Sequence, residues 1–448
     1  MMRELMSYLR DAKSVIKIAM PLFWSNIALF VSITINVVFS TSMSNAAVSG
    51  VASSSYIIIL FSGLAGGIRI ALQREVAKNK NTGQYLDIKK VANFMLSYIL
   101  TGTLLGLALF YAIPFLAYGV ASDPEVVTYL IEYSKLIAIS TIVYTSIGSF
   151  NSYYNGLGKT WFSSRSTLAV NILDFCLTFV FFKWQLSPLY GKVSALSAGT
   201  LAAYVFVAAY ILFAHRKQIR RHATYLCAPK HYLADVLRIS VKNMSIGLES
   251  VLYFVGWGLT YKLVSRLGTS ETAVLAVIAN LFLLPVYFSQ SVGSALLTSI
   301  AGISDFRVAK RKTYGAIIVT LIFAILSACT LYLLGNQLAQ LYFTHPSNSS
   351  KLFLDSLLLI CIFIVSFVAA EVLKGALYSV NKHNMVNLYV FLCQWVLFLG
   401  GGYILISFTS AGFASILSLL ISYRLLLILF YSLSFSGSFQ MKGMYATN

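Results

Sequence analysis

The chain has 448 residues, of which 58% are hydrophobic and only 10% charged, and it carries a formal net charge of +19. A soluble domain has about a quarter of its residues charged, so this composition excludes a water-solvated surface and requires lipid. The Lys and Arg residues gather in particular loops, so their excess points to membrane topology and excludes nucleic acid as the partner.

The opening MMRELMSYLRDAKSV is an amphipathic, basic lead-in without a small-residue cleavage site, and no removable signal peptide is expected. Twelve apolar stretches follow. The first six run Val15 to Phe39, Ala46 to Leu72, Val91 to Leu116, Val126 to Phe150, Ser164 to Phe182 and Lys192 to Phe213. The second six run Val241 to Val264, Thr272 to Ser299, Gly315 to Leu334, Leu352 to Leu377, Met385 to Ser407 and Gly412 to Leu433. Each approaches or exceeds the roughly 20 residues that cross a bilayer as a helix. The loop after span two carries Arg74, Lys78, Lys80, Lys89 and Lys90, that after span six Arg216, Lys217, Arg220, Arg221, Lys230 and Arg238, and that after span eight Arg307, Lys310, Arg311 and Lys312. The alternate loops carry few or none. By the positive-inside rule both termini are cytoplasmic.

The second six stretches echo the first six at an offset of roughly 223 to 226 residues. AVSGVASSSYIIILFSGLAGGIRIAL from Ala47 lies over AVLAVIANLFLLPVYFSQSVGSALLT from Ala273, bringing Gly67 onto Gly293, and NSYYNGLGK from Asn151 lies over KGALYSVNK from Lys374. The sequence therefore predicts an all-α integral membrane protein of twelve transmembrane helices in two six-helix lobes. These are residues 1–213 and 236–448, related by pseudo-twofold symmetry along the membrane normal, with a cleft between them. The basic segment 214–235 joins them as a cytoplasmic linker lying against anionic headgroups. Repeat interfaces are where transporters place substrate and coupling-ion sites. Function is sought at polar residues within the spans.

Asp174 lies about ten residues into its span, roughly 15 Å deep at 1.5 Å per residue, with no Lys or Arg one turn away. A lone carboxylate at that depth suits the exchange of H⁺ or the binding of Na⁺. Glu249 sits inside span seven in the same manner and is the second-lobe counterpart in kind. Glu371 with Lys374, and Glu132 with Lys135, are three residues apart and can each pair along one helix face. Arg69, near the cytoplasmic end of span two, either snorkels or, facing a cavity, attracts an anionic group such as a pyrophosphate lipid. Arg69 and Glu371 are thus candidate cavity charges. Gln394 takes the repeat position of Asn171 without a titratable partner. The cysteines show neither disulfide framework nor metal spacing, and GGGY at Gly400 lies inside a span without the Lys and Ser or Thr of a phosphate loop. No cofactor, no metal other than Na⁺ at Asp174 and no ATP hydrolysis are expected.

The segment IKIAMPLFWSNIALFVSITINVVFSTSMSNAAVSGVASSSYIIILFSGLAGG, with Pro21 in the first helix and Gly63, Gly66 and Gly67 in the second, resembles the opening of the multidrug and toxin extrusion (MATE) family. So do NGLGKT (Asn155 to Thr160) with the following Asn171 and Asp174, and LVSRLGTSETAVLAVIANLF in the second half. The resemblance spans essentially the whole chain. It implies a cation or proton site at Asp174 and Asn171, with Asn36 standing where cation-coupled members commonly carry an Asp. An amide does not titrate in the physiological range, so Asn36 coordinates or hydrogen-bonds rather than exchanging a proton. Pro21 is expected to bend the first helix and affect access to the first-lobe cavity.

Three classes of function follow. The first is a secondary antiporter exporting a small organic solute (drug, toxin or metabolite) by H⁺ or Na⁺ antiport through alternating access. The second is a flippase for a lipid-linked saccharide or other polyprenyl lipid, favoured by Asn36 and Arg69. The outsider is a membrane-embedded enzyme, disfavoured because the outward loops lack an acidic or His cluster. The expected setting is a monomer among membrane lipids in a bacterial inner membrane.

Overall fold

The structure, a computed structural model, describes residues 2–41, 43–120, 123–186, 192–214, 216, 232–343, 348–409 and 412–445. Most of the expected linker, including Cys227, lies outside the described residues. The described chain is α-helical, without strands among the described residues. The first half comprises α1 (Met2–Thr41), α2 (Asn45–Asn81), α3 (Ile88–Val120), α4 (Pro124–Gly156), α5 (Thr160–Lys183) and α6 (Lys192–Ala214). The second half opens with α7 (Tyr232–Val264), α8 (Thr269–Leu281), α9 (Leu283–Ile300) and α10 (Phe306–Leu333). Then come α11 (Gly335–Tyr342), α12 (Asn348–Asp355) and α13 (Leu357–Ser379). The chain ends with α14 (His383–Val390), a π-helical stretch (Phe391–Gly400), α15 (Gly401–Phe408) and α16 (Phe413–Tyr445).

Among the described residues nine helical stretches are long and apolar enough to cross a membrane. The other three expected spans fall in α1, α2 and α7, which are 40, 37 and 33 residues long. Bulky side chains such as Phe115, Tyr210, Leu326, Leu358 and Leu433 stand exposed, as an integral membrane protein requires, since lipid and not water meets them. Helix starts are set locally. Ser44 caps α2 by accepting from the Ala47 amide at 3.0 Å, and Asp123, ahead of Pro124, caps α4 by accepting from Glu125 at 2.9 Å.

The repeat read from sequence recurs in the backbone. Gly158 (φ 72°) and Asn381 (φ 64°), brought together by the offset, both adopt the left-handed conformation after a helix. They carry matching bonds, Gly158 N to Asn155 O at 2.9 Å with Lys159 N to Tyr154 O at 2.8 Å, and Asn381 N to Tyr378 O at 3.2 Å with Lys382 N to Leu377 O at 3.0 Å. Both are helix C-caps of the left-handed type, which turn the chain sharply and satisfy the last carbonyls.

Packing divides the chain into two units. The first unit spans Trp24–Val251. Its helices approach closely where side chains vanish: a Cβ on Gly199 of α6 would collide with the Thr178 backbone of α5, and one on Gly67 of α2 with Gly247 of α7. Such small-residue contacts are how helices associate in lipid, where no hydrophobic drive operates between them. The Lys80 ammonium donates to the Leu157 carbonyl at 2.7 Å, so the basic end of α2 and the turn after α4 meet at one end of this unit.

The second unit comprises residues up to Phe23 together with Leu252–Asn448. Gly293 of α9 and Gly375 of α13 touch backbone to backbone. The start of α1 is held here by the ion pair of Asp11 with Arg311 at 3.2 Å, and by Phe23, whose ring lies 5.2 Å from Phe288 and 5.9 Å from Phe323. These packing units differ from the lobes read from the repeat at one corresponding place in each half. The early part of α1 packs with the second half, and α7 up to Val251 packs with the first.

Candidate functional site

A buried polar cluster of the first unit is built from α1, α4, α5 and α6. Asp174 on α5 is only 4% exposed. One turn later on the same helix, the Thr178 hydroxyl lies 3.1 Å from its Oδ1 and 3.3 Å from the Leu196 carbonyl of α6. The proximity follows from Gly199, which lets α6 lie directly on α5. Asn36 of α1 is likewise buried, and its amide donates to the Tyr133 hydroxyl of α4 at 3.2 Å and to the Thr200 hydroxyl of α6 at 3.4 Å. Its Oδ1 has no donor among the described residues. Tyr133 and Tyr204 are both within electrostatic reach of Asp174. The cluster thus joins a carboxylate, an amide, two phenols and two hydroxyls inside an apolar unit. These are hard oxygen donors, suited to a proton or a small monovalent cation.

Asn171, one turn before Asp174, is buried, and its Nδ2 has no acceptor among the described residues. Glu249 is buried on α7, in the segment that packs with the first unit. Pro21 is buried inside α1, whose helix continues through it. The change of packing unit along α1 follows two residues later. Proline there removes the donor that would have bonded the Lys17 carbonyl.

Arg69 stands exposed on α2 with its Nη1 3.5 Å from the Tyr144 hydroxyl, and Tyr144 meets Tyr204 edge to face at 5.8 Å. Glu371 is buried and pairs with Lys374 at 2.8 Å along α13, as their spacing predicts. Glu132 and Lys135 share that spacing but do not pair. The Lys135 ammonium lies over the Phe110 ring at 5.7 Å, and Oε2 of Glu132 has no hydrogen-bond partner among the described residues. A neighbouring aromatic face from α3 competes successfully for this cation.

Tyr133, Thr178, Thr200 and Tyr204 were not singled out by the sequence reading. Thr178 carried a signal, being four residues after Asp174 and therefore on its face. Also missed was Arg424 in ISYRLLLILF, an arginine within the last apolar stretch, although any ionisable residue at that depth marks a site to examine. Gln394 lies in the π-helical stretch, where its amide donates to the Tyr253 carbonyl of α7 at 3.2 Å and Trp395 donates to Leu252 at 3.1 Å.

A family model described as MatE matches residues 21–180 and 246–404. The chain is 23% identical over 425 residues to a probable multidrug resistance protein NorM of Bacillus subtilis (strain 168), covering 92% of each. It is 25% identical over 414 residues to one of Geobacillus kaustophilus (strain HTA426), covering 88% of each. In fold it is similar to a variant of the Vibrio cholerae MATE transporter VcmN, with a TM-score of 0.84 at 15% identity over 97% of this chain and 98% of that one. A MOP superfamily transporter from Pyrococcus furiosus gives a TM-score of 0.81 at 14% identity over 96% of each chain.

Proposed function

The chain belongs to the MatE family of membrane transporters, and on that premise we propose that it exports a small organic solute by secondary active transport, exchanging H⁺ or Na⁺ at Asp174. The observation that carries this reading is the buried Asp174, held by Thr178, with Tyr133 and Tyr204 within electrostatic reach and Asn36 hydrogen-bonded to Tyr133. Binding a proton or Na⁺ removes the penalty of a buried carboxylate charge, whereas the empty anion favours an arrangement that admits water or a cation. Ion and solute then bias one two-state equilibrium in opposite senses, which is antiport. Asn36 contributes an amide that coordinates without titrating. Pro21 supplies a helix that lacks one internal hydrogen bond next to the place where α1 changes unit. The repeat gives lobes at residues 1–213 and 236–448 joined by the basic segment 214–235, with both termini cytoplasmic and the protein in a bacterial inner membrane. Beyond the coupling ion, this transport cycle uses no cofactor and no catalytic turnover of the solute.

The test is transport by the purified chain in proteoliposomes under separately imposed pH and Na⁺ gradients, with cationic and neutral organic dyes as solutes. Accumulation driven by either gradient supports the reading, and uptake indifferent to both overturns it. A second reading, flipping of a lipid-linked saccharide, is favoured by the exposed Arg69 beside Tyr144. It requires movement of a diphosphate lipid between leaflets in the same vesicles.

A further inference from the structure

The second unit holds a charge that the transport reading does not use. Arg424 of α16 is only 3% exposed. Its guanidinium lies 3.9 Å from the ring centroid of Phe367, 4.8 Å from that of Tyr423 and 5.3 Å from that of Tyr253. The rings occupy its faces and leave its edges as the directions in which it donates. The Tyr423 hydroxyl interacts with the guanidinium, but among the described residues no protein group accepts a hydrogen bond from Nε or Nη2. These two nitrogens form one edge of the guanidinium, the side-on fork that matches the two oxygens of a carboxylate or phosphate. Glu371 is within electrostatic reach. Its Oε2, however, is paired with Lys374 at 2.8 Å. Glu371 thus already has a cation partner on its own helix.

The internal repeat gives the same polarity. The offset that sets Thr260 over Asn36 also sets Arg424 over Thr200, and the offset that sets Gln394 over Asn171 sets Leu397 over Asp174. At these two positions the first unit has a hydroxyl and a carboxylate, and the second a guanidinium and an aliphatic side chain. An arginine buried in an apolar unit with two donor nitrogens unpartnered among the described residues is costly unless an anion joins it.

We propose that Arg424 is the centre of an oxyanion site in the second unit, which takes a carboxylate or phosphate group on its Nε and Nη2 edge against the rings of Tyr253 and Phe367. The site goes beyond the transport reading and does not depend on the coupling ion. The shared chemistry has three sources: a free anion, an organic acid carried as solute, or the diphosphate of a prenyl lipid.

Purified full-length protein in detergent tests this without any gradient, so a chain that fails to export still reports on the site. Tryptophan fluorescence, to which Trp257 and Trp395 contribute, is titrated with inorganic phosphate, benzoate and geranyl diphosphate at fixed ionic strength. Saturable binding of at least one of these is expected, at least tenfold weaker in R424K, which keeps the charge but loses the fork, and lost in R424Q. The tightest of the three identifies the source. Absence of saturable binding for all three in wild-type protein overturns the proposal, as does binding by R424Q with wild-type affinity. If R424Q elutes aggregated on gel filtration, R424K decides: binding within twofold of wild type overturns the site.

Discussion

The Thr178 hydroxyl stands 3.1 Å from Oδ1 of Asp174, one helical turn away on the same buried face of α5. Asp174→Asn keeps size and hydrogen bonding but removes the exchangeable charge. It should abolish gradient-driven export while membrane abundance stays at the wild-type level. Thr178→Val should reduce the initial transport rate by roughly tenfold, or about 1.4 kcal/mol, near the lower end for a hydrogen bond to a charged group. Initial rates in proteoliposomes, normalised to protein by immunoblot, check both. Wild-type accumulation by Asp174→Asn with unchanged pH and Na⁺ dependence moves the coupling site elsewhere, with Glu249 next.

Asn36 donates to Tyr133 and Thr200, so Asn36→Asp places a second carboxylate in the cluster that already holds Asp174. Two acids in one buried site lose their protons in coupled steps. The pH profile of export should therefore broaden and change its midpoint, whereas Asn36→Ala should lower the rate without changing the profile. Rates measured from acid to alkaline pH at constant gradient distinguish the two variants, and identical profiles for wild type and Asn36→Asp would remove Asn36 from the site.

Pro21 interrupts the hydrogen-bond ladder of α1 two residues before the helix passes from one packing unit to the other. Pro21→Ala restores the bond to the Lys17 carbonyl and should stiffen the helix, changing the transport rate at least about twofold while abundance changes little. Equal rates per molecule exclude Pro21 from the conformational cycle.

Gly199 has no room for a methyl group, because a Cβ there meets the Thr178 backbone and hydroxyl. Gly199→Ala should destabilise the α5–α6 contact by about 1–3 kcal/mol, the usual cost of overpacking, and disturb the hydroxyl that serves Asp174. Gly258, with nothing within 4 Å of its added methyl, should tolerate alanine. Thermal unfolding of the two variants in detergent, with a lower midpoint only for Gly199→Ala, is the check.

Gly158 and Asn381 hold the same left-handed turn in the two halves. Gly158→Ala should destabilise by about 1 kcal/mol, because the added Cβ crowds the backbone at positive φ. Asn381→Gly should be neutral or slightly stabilising. Thermal midpoints that fall equally in both variants would argue against a shared cap.

The sequence by itself determined the all-α membrane architecture, the duplicated order of its helices and the burial of Asp174. All of these depend on composition, span length or short-range pattern along one chain. The Glu371–Lys374 pair was legible for the same reason, since both groups lie one turn apart on one helix. Only the tertiary structure decided that Tyr133, Thr200 and Tyr204 join Asp174, because those neighbours come from other helices and depend on how closely Gly199 lets α6 approach α5. It likewise decided that Lys135 meets Phe110 rather than Glu132, and that Glu249 packs with the first unit. Two of the rings around Arg424, those of Tyr253 and Phe367, come from other helices far from it in sequence. A hydropathy profile records one cation in an apolar stretch, but whether that cation is snorkelled, paired or left with an open fork depends on distances between helices, which no single span encodes.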